Sequence, residues 1–213
     1  MLKASSDTPF IIYGAGGHAR VVLDAARLSD WAPEFIIDDN PVQSNLFGVP
    51  VIQSSDRRWM KLKKFKFLVA IGHNNIRRTI YNKLIEQGGT PSSVIHPSAI
   101  VSAYAQIGKG TVVMAGVAVN SGAVIGDNVI LNTTCSVDHD CQIEDHVHLS
   151  PGTHLAGTVK VGNMSMVGTG SSIIPGVKIG RNVVVGAGSV VIRDLPDNSL
   201  AFGNPACEKA KKS

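Results

Sequence analysis

The sequence predicts a protein of two parts, an α/β domain with a small parallel sheet followed by a parallel β-helix. Two observations carry this prediction. In residues 1–92, short apolar segments alternate with segments of helical periodicity, which is typical of a sheet covered by helices. In residues 93–213, which include a C-terminal tail, an aliphatic residue recurs at every sixth position, and that period fits neither a helix nor a simple strand alternation.

The first part contains four strand-like segments and two helical ones. The strand-like segments read FIIY, EFIIDD, VPVI and KFLVAIG, at residues 10–13, 34–39, 49–52 and 66–72. The helical segments lie at residues 19–28 and 74–89. In the second helix we expect a buried face formed by Ile76, Ile80, Leu84 and Ile85. The glycine-rich turn GAGGH, residues 14–18, joins the first strand to the first helix.

The second part is a hexapeptide repeat without a break. Seventeen consecutive repeats carry an aliphatic residue, from Ile95 to Val191, and a small residue lies four positions after each of the first sixteen. We expect both files to fill a triangular prism with three flat faces and coils of eighteen residues, about 4.8 Å apart. Glycine often follows the aliphatic residue, where we expect a corner with positive φ: Gly108, Gly126, Gly162, Gly168, Gly180 and Gly186.

Composition excludes several classes of protein. The net charge of +4 is too small and too scattered for a nucleic-acid-binding surface. No apolar run is long enough to insert into a membrane, and the start MLKASSDTPFII lacks a signal-peptide pattern, so we expect a cytoplasmic protein. The three cysteines lack CxxC spacing, which argues against a disulfide framework or a zinc knuckle. Cys135 and Cys141 fall in the small inward file and are predicted to be structural.

A polar cluster interrupts the repeat at residues 136–150, SVDHDCQIEDHVHLS. It holds three of the seven histidines, His139, His146 and His148, among four carboxylates. Such a cluster fits a metal site, a general base with a helper, or a solvated turn. Histidine is the usual base near neutral pH, because its ordinary pKa lies there.

Several motifs together resemble one enzyme family. They are GAGGH (14–18), IDD (37–39), AIGHNNIR (70–77), HPSA (96–99), ILNTTCSVDHDC (130–141), HLSPGTHLAG (148–157) and GNPA (203–206). The chain resembles the hexapeptide-repeat acyltransferases, and more narrowly the nucleotide-linked 4-amino-sugar N-acetyltransferases of the bacillosamine and perosamine types, with the related sialic acid O-acetyltransferase-like proteins. The resemblance implies a Rossmann-like front domain, a left-handed β-helix, acetyl-CoA as cosubstrate without a metal, and a homotrimer.

The resemblance also implies roles for individual residues. His139 matches the catalytic base and Asp140 the adjacent acid, although Glu is frequent at that position in bacillosamine-type members. Contacts with acetyl-CoA are implied for His148, Gly157, Thr169 and Ala187. Contacts with the nucleotide sugar, UDP-linked by preference, are implied for Gly16, Gly17, His18, Asp38, Asp39 and Gly72. The eighteen-residue coil independently predicts that Gly157 stacks over His139.

Other interpretations remain open at this point. Close alternatives are N-acetylation of GDP-perosamine and O-acetylation of sialic acid. A zinc enzyme of the carbonic anhydrase type would use His139, His146, His148 and His154 as ligands. A non-catalytic nucleotide-sugar-binding scaffold would need no base at all. For individual residues, GAGGH is also compatible with a plain tight turn, and Thr169 and Ala187 with simple packing.

Overall fold

The computed structural model describes residues 8–209, so the first seven and the last four residues lie outside the described part. Six strands form the first sheet: β1 (Phe10–Tyr13), β2 (Pro33–Asp38), β3 (Asn45–Leu46), β4 (Val49–Gln53), β5 (Phe65–Val69) and β6 (Gly89–Pro91). Their order is β3-β4-β2-β1-β5-β6, and all pairs are parallel except the hairpin of β3 and β4. The predicted parallel sheet is therefore confirmed.

Three helices accompany this sheet: α1 (Gly17–Leu28), α2 (Arg57–Met60) and α3 (Asn74–Glu86). Successive residues of β1 belong to different core clusters, because side chains alternate across a strand. Ile12 packs with the α1 side chains, whereas Ile11 packs with Ile80 and Leu84 of α3. The two long helices thus cover opposite faces of the sheet. The sequence did not predict β3, α2 or β6, which are only two to four residues long.

The predicted buried face of α3 was half wrong. Ile80 and Leu84 are buried, but Ile76 and Ile85 are 50% and 43% exposed. Arg77 and Tyr81 are buried in their place, so the true stripe is 77, 80, 81 and 84. This stripe has the i, i+3, i+4, i+7 spacing of one helix face. The prediction failed because it counted only aliphatic residues and left out a polar side chain whose hydrogen bonds allow burial.

The second part is a prism of three sheets, which we call faces 1, 2 and 3, and all their strand pairs are parallel except the last pair of face 1. Face 1 consists of Val94–Ile95, Val112–Val113, Ile130–Leu131, His148–Leu149, Met166–Val167, Val184–Val185, Leu200–Gly203 and Ala206–Lys209. Face 2 consists of Ile100–Val101, Ala118–Val119, Ser136–Val137, His154–Leu155, Ser172–Ile173 and Val190–Val191. Face 3 consists of Gln106–Ile107, Val124–Ile125, Gln142–Ile143, Lys160–Val161 and Lys178–Ile179.

The register confirms the eighteen-residue coil. Val113 pairs with Leu131, and Val119 pairs with Val137 on the next face. The aliphatic file is buried from Val113 onward, and Cys135 and Cys141 are fully buried in the small file, as predicted. Burial raises the pKa of the Cys135 thiol to about 12, so this thiol stays protonated and inert.

The explanation predicted for the corner glycines was wrong. Positive φ falls three positions after the aliphatic residue, where residues other than glycine also occur, such as Asp140 with φ 58°. The glycine directly after the aliphatic residue is needed because the next coil passes close to it. A Cβ on Gly162 would lie 2.7 Å from the backbone nitrogen of Arg181.

Contacts between the two parts seat the α/β domain on face 1. The Ser29 hydroxyl donates to the Ile95 carbonyl at 2.6 Å. The Asn74 amide donates to the carbonyls of Met164 at 2.9 Å and Ser165 at 3.1 Å. The outward side chains of face 1 are buried where the domain covers them. Within residues 8–209, no helix is long and apolar enough to cross a bilayer.

Candidate active site

His139 lies at the bend between faces 2 and 3, with its side chain 56% exposed. Its Nδ1 lies 2.9 Å from an Asp140 carboxylate oxygen. On its other side, the His139 backbone N–H donates to Asp138 at 2.7 Å, and Asn120 donates to the same carboxylate oxygen. The loop that carries the imidazole is therefore fastened by its own carboxylates.

The Asp140 contact determines the protonation pattern of His139. Since a carboxylate accepts, Nδ1 carries the proton and Nε2 keeps its lone pair. The hydrogen bond to Asp140 raises the pKa of His139 above its ordinary value, with a further contribution from the Asp138 charge. A more basic imidazole with a lone pair on Nε2 is suited to accept a proton.

Gly157 stacks directly on His139, as the coil length predicts. The backbone N–H of Thr158 donates to the His139 carbonyl at 2.9 Å, which fixes the register of the two coils. A Cβ on Gly157 would lie 2.6 Å from Cε1 of the His139 ring. Any side chain larger than that of glycine at position 157 would therefore collide with the His139 ring. Gly157 is buried, and its N–H forms no hydrogen bond with another group of residues 8–209.

His148 lies on face 1 under the α/β domain and is only 7% exposed. Its Nδ1 is 3.2 Å from the Gly72 carbonyl, and its Nε2 is 3.2 Å from the side-chain amide of Asn132. Since a carbonyl only accepts, Nδ1 carries the proton and Nε2 accepts from the amide. Burial, followed by the positive charge of Arg77, lowers the pKa of His148 to about 4. His148 is therefore neutral at physiological pH.

His18 lies beside this pocket, with its ring centroid 6.4 Å from that of His148. Burial, followed by the charge of Arg77, lowers the pKa of His18 to about 4. Its Nε2 is buried, and no hydrogen-bond partner for it is found among residues 8–209. The structure thus brings together His18, Gly72 and His148, which the sequence had divided between the two substrates.

The GAGGH turn positions the start of α1. Gly16 and Gly17 are exposed, and a Cβ on either would meet nothing within 4 Å, so the space above them is open. Their backbone groups are accessible at a helix N-terminus, which favours anionic groups. The residue that requires glycine is Gly14, with φ 106° and a Cβ position 2.9 Å from the Ala70 carbonyl.

The two carboxylates at the end of β2, Asp38 and Asp39, already accept hydrogen bonds within the structure. Asp38 accepts from the backbone N–H of Ala15 at 2.8 Å and of Asn40 at 2.9 Å, so it holds the glycine turn in place. Asp39 accepts from the buried Tyr13 hydroxyl at 2.6 Å. Hydrogen bonds from Ser54 and Tyr13 lower the pKa of Asp39. Asp39 is the more exposed of the two carboxylates.

Comparison with known proteins agrees with this geometry. Residues 9–84 match the PglD N-terminal domain, and residues 158–193 match the bacterial transferase hexapeptide repeats. A solved histidine-to-asparagine variant of perosamine N-acetyltransferase from Caulobacter crescentus, in complex with CoA and GDP-perosamine, is 41% identical. That comparison covers 98% of this chain and all (100%) of the other, with a TM-score of 0.90.

The chain belongs to the family of hexapeptide-repeat sugar N-acetyltransferases. Its prism has the left-handed coil of that family. The acetyltransferase domain of PglB from Neisseria gonorrhoeae, solved with acetyl coenzyme A, is 38% identical with a TM-score of 0.88, over 96% of this chain and 100% of that one. UDP-N-acetylbacillosamine N-acetyltransferase from Bacillus subtilis is 40% identical over 109 residues, which span 48% of this chain and half (50%) of that protein.

In this acetyltransferase, the two remaining residues predicted to contact acetyl-CoA, Thr169 and Ala187, lie at a different corner of the prism from His139. Thr169 and Ala187 stack at the bend between faces 1 and 2, joined by the Gly188 N–H, which donates to the Thr169 carbonyl at 2.8 Å. His139 and Gly157 occupy the bend between faces 2 and 3. Within one chain, face 2 therefore separates the two rows. A ligand that touches both rows must cross face 2 or lie between two chains.

The histidines that the zinc interpretation would combine are engaged separately. His146 contacts the Asn128 amide at 2.9 Å, and His154 contacts the Ser136 hydroxyl at 2.9 Å. In residues 8–209, no group of three or more His, Cys, Asp or Glu side chains is arranged to hold a metal ion. Sequence reasoning did not single out Asn132 or Arg77, although both lie inside motifs that carry the family resemblance.

Proposed function

We propose that this acetyltransferase transfers the acetyl group of acetyl-CoA directly to the 4-amino group of a nucleotide-linked amino-deoxy sugar. The observation that carries the proposal is the His139–Asp140 contact of 2.9 Å at a corner, directly below the Gly157 backbone N–H, which has no hydrogen-bond partner within residues 8–209. A base and an oxyanion donor side by side are what acyl transfer to an amine needs.

In the proposed reaction, the neutral sugar amine attacks the thioester carbonyl carbon and a C–N bond forms. His139 Nε2 takes the proton that the amine loses, while Asp140 stabilises the imidazolium. The Gly157 N–H donates to the oxygen that becomes negative. The C–S bond then breaks, and the departing CoA thiolate receives the proton from His139. No residue becomes acylated, which fits the inert character of the buried Cys135.

We further propose that the two substrates approach from different sides. His148, Gly157, Thr169 and Ala187 line the path of acetyl-CoA. The nucleotide sugar lies on the α/β domain at the open space above Gly16 and Gly17, near His18, Asp39 and Gly72. Asp38 acts there through the turn that it holds. The solved perosamine and PglB relatives bind CoA or acetyl coenzyme A, which supports acetyl-CoA as one of the two substrates.

A homotrimer would bring the two corner rows together. We propose that acetyl-CoA lies between the His139 corner of one chain and the Thr169 corner of a neighbour, because one chain separates them by a whole face. We also propose that the two parts are domains that meet at residues 92 and 93. The Ser92 N–H donates to Phe67 of the first sheet, and the Ser93 hydroxyl donates to Gly108 of the prism. The cytoplasmic location stays a prediction from the sequence.

For the nucleotide, we propose UDP first, on the resemblance to bacillosamine-type enzymes. GDP is the second candidate, because the perosamine enzyme solved with GDP-perosamine matches nearly the whole chain. The deciding experiment measures thiol release from acetyl-CoA with UDP-linked and GDP-linked 4-amino-4,6-dideoxy sugars and with sialic acid. Turnover of one amino-sugar nucleotide establishes the reaction and the nucleotide together. Activity on sialic acid alone would replace N-acetylation with O-acetylation, and no turnover at all would refute the proposal.

A further inference from the structure

Arg77 on α3 is the most deeply buried charged side chain of the described residues, at 1% exposure. Among residues 8–209, no carboxylate forms a salt bridge with it. In this part of the chain, all the hydrogen bonds of its guanidinium go to backbone carbonyls. A buried charge without a counter-ion is costly, so its position calls for an explanation beyond packing.

The acceptors of Arg77 fall into two groups. Three lie on the prism, namely the carbonyls of Asn128 at 3.1 Å, His146 at 2.7 Å and Val147 at 3.4 Å. The other two lie in the loop of residues 70–73 that follows β5, namely the carbonyls of Ile71 at 3.2 Å and Gly72 at 3.1 Å. One side chain therefore ties this loop to the β-helix.

The Gly72 carbonyl is held from a second direction by His148 Nδ1 at 3.2 Å. The same carbonyl thus connects Arg77 to the histidine that we place beside acetyl-CoA. Displacement of this loop would move the predicted nucleotide-sugar contact at Gly72 and loosen His148 together.

We propose that Arg77 is a positioning residue that sets the alignment of the acceptor sugar with the acetyl donor. By holding loop 70–73 against face 1, it fixes where the α/β domain presents the sugar amine relative to the prism. This inference rests on the proposed function. Arginine is required because its planar group offers five N–H donors in several directions, whereas lysine offers three donors at one point.

The test compares Arg77→Lys with the control Asn74→Ala. Asn74 also joins the domains, through Met164 and Ser165, but its side-chain amide donates to none of the carbonyls of loop 70–73. In Arg77→Lys we expect the KM for the nucleotide sugar to rise about tenfold and kcat to fall, with the KM for acetyl-CoA changed less than about twofold. Asn74→Ala should lower the melting temperature without this split between the two KM values.

Amide hydrogen exchange provides a readout that does not depend on turnover. Peptides covering residues 70–73 should exchange faster in Arg77→Lys than in Asn74→Ala when both are measured at the same distance below their melting temperatures. Equal exchange in the two variants, or equal changes in both KM values, would overturn the inference and leave Arg77 a structural residue. If the wild-type enzyme turned over no nucleotide sugar, the proposed function would fail, while the exchange comparison would still decide the role of Arg77 in holding the loop.

Discussion

His139 and His148 belong to the same polar stretch, yet the fold gives them opposite environments. His139 is more than half exposed at a corner, beside a carboxylate that raises its pKa. His148 is buried on face 1, where burial and Arg77 lower its pKa to about 4. The first is the more basic of the two and can accept a proton. The second keeps one neutral tautomer, because a carbonyl and an amide occupy its two nitrogens.

The comparison shows how a repetitive prism makes an active site. The repeat decides which face or corner each residue occupies, and the neighbour on that face decides its chemistry. An exposed corner leaves room for a substrate and for a charged partner. A covered face removes water and turns the same imidazole into a fixed hydrogen-bonding group. One residue type thereby serves two purposes within a single coil.

The largest expected effect comes from removing the exposed histidine. We expect His139→Ala to lower kcat by about 10² to 10⁴, because a general base is lost while the fold is kept. Steady-state kinetics measure the loss of kcat, and the melting temperature shows whether the fold is kept. His154→Ala is the matched control, since His154 is also exposed and lies on the adjacent face, where its ring hydrogen-bonds with Ser136. Near-normal turnover by His139→Ala would remove the base from our mechanism.

A smaller effect is expected from moving the base without removing it. In Gly157→Ala the new methyl group would collide with the His139 ring and displace Nε2, so kcat should fall about 10- to 100-fold. Gly162→Ala is the control, because its methyl group would meet only the backbone of the next coil at Arg181 and Gly180. It should lower stability and leave kcat close to that of the wild type. Equal kcat losses in both variants would indicate a general distortion of the prism.

Much of this comparison could be predicted from the sequence. The period of six placed the aliphatic and small files inward, and the coil length placed Gly157 on His139. The pocket of His148 could not be predicted in this way. It depends on where the α/β domain sits, and that position is set by hydrogen bonds from Arg77, Asn74 and Ser29 to backbone carbonyls far away in the chain. Any residue can supply a backbone carbonyl, so no pattern of side chains in the sequence predicts these contacts.

Asp140→Asn tests the carboxylate that distinguishes His139 from His148. The amide carries no charge, so the pKa of His139 should fall, and the acidic limb of the pH–rate profile should move to lower pH. The plateau rate should decrease about tenfold, because a weaker base accepts the proton less readily. Asp145→Asn serves as the control, since Asp145 accepts from the Asp127 backbone N–H on another corner. An acidic limb that stays in place would mean that Asp140 does not set the basicity of His139.

The smallest effects are expected in the pH dependence of stability, where the two histidines should act in opposite directions. The folded-state pKa of His148, about 4, lies below its ordinary value of 6.5, so its contribution is complete above pH 6.5 and is lost as the pH falls towards 4. His18 behaves in the same way, because its pKa is also lowered to about 4. Protonation of either histidine lowers the free energy of unfolding by at most about 1.4 kcal/mol per pH unit, or the melting temperature by a few degrees. The folded-state pKa of His139 is raised, so its contribution is present at low pH and is lost as the pH rises through that pKa. Relative to the wild type, His148→Gln should therefore gain in melting temperature as the pH falls from 6.5 to 4. His139→Gln should be at its full disadvantage below pH 6.5 and should lose that disadvantage as the pH rises above 6.5. Differences in melting temperature from the wild type that stay constant in both pH ranges would show that burial and exposure do not divide the two histidines as the structure indicates.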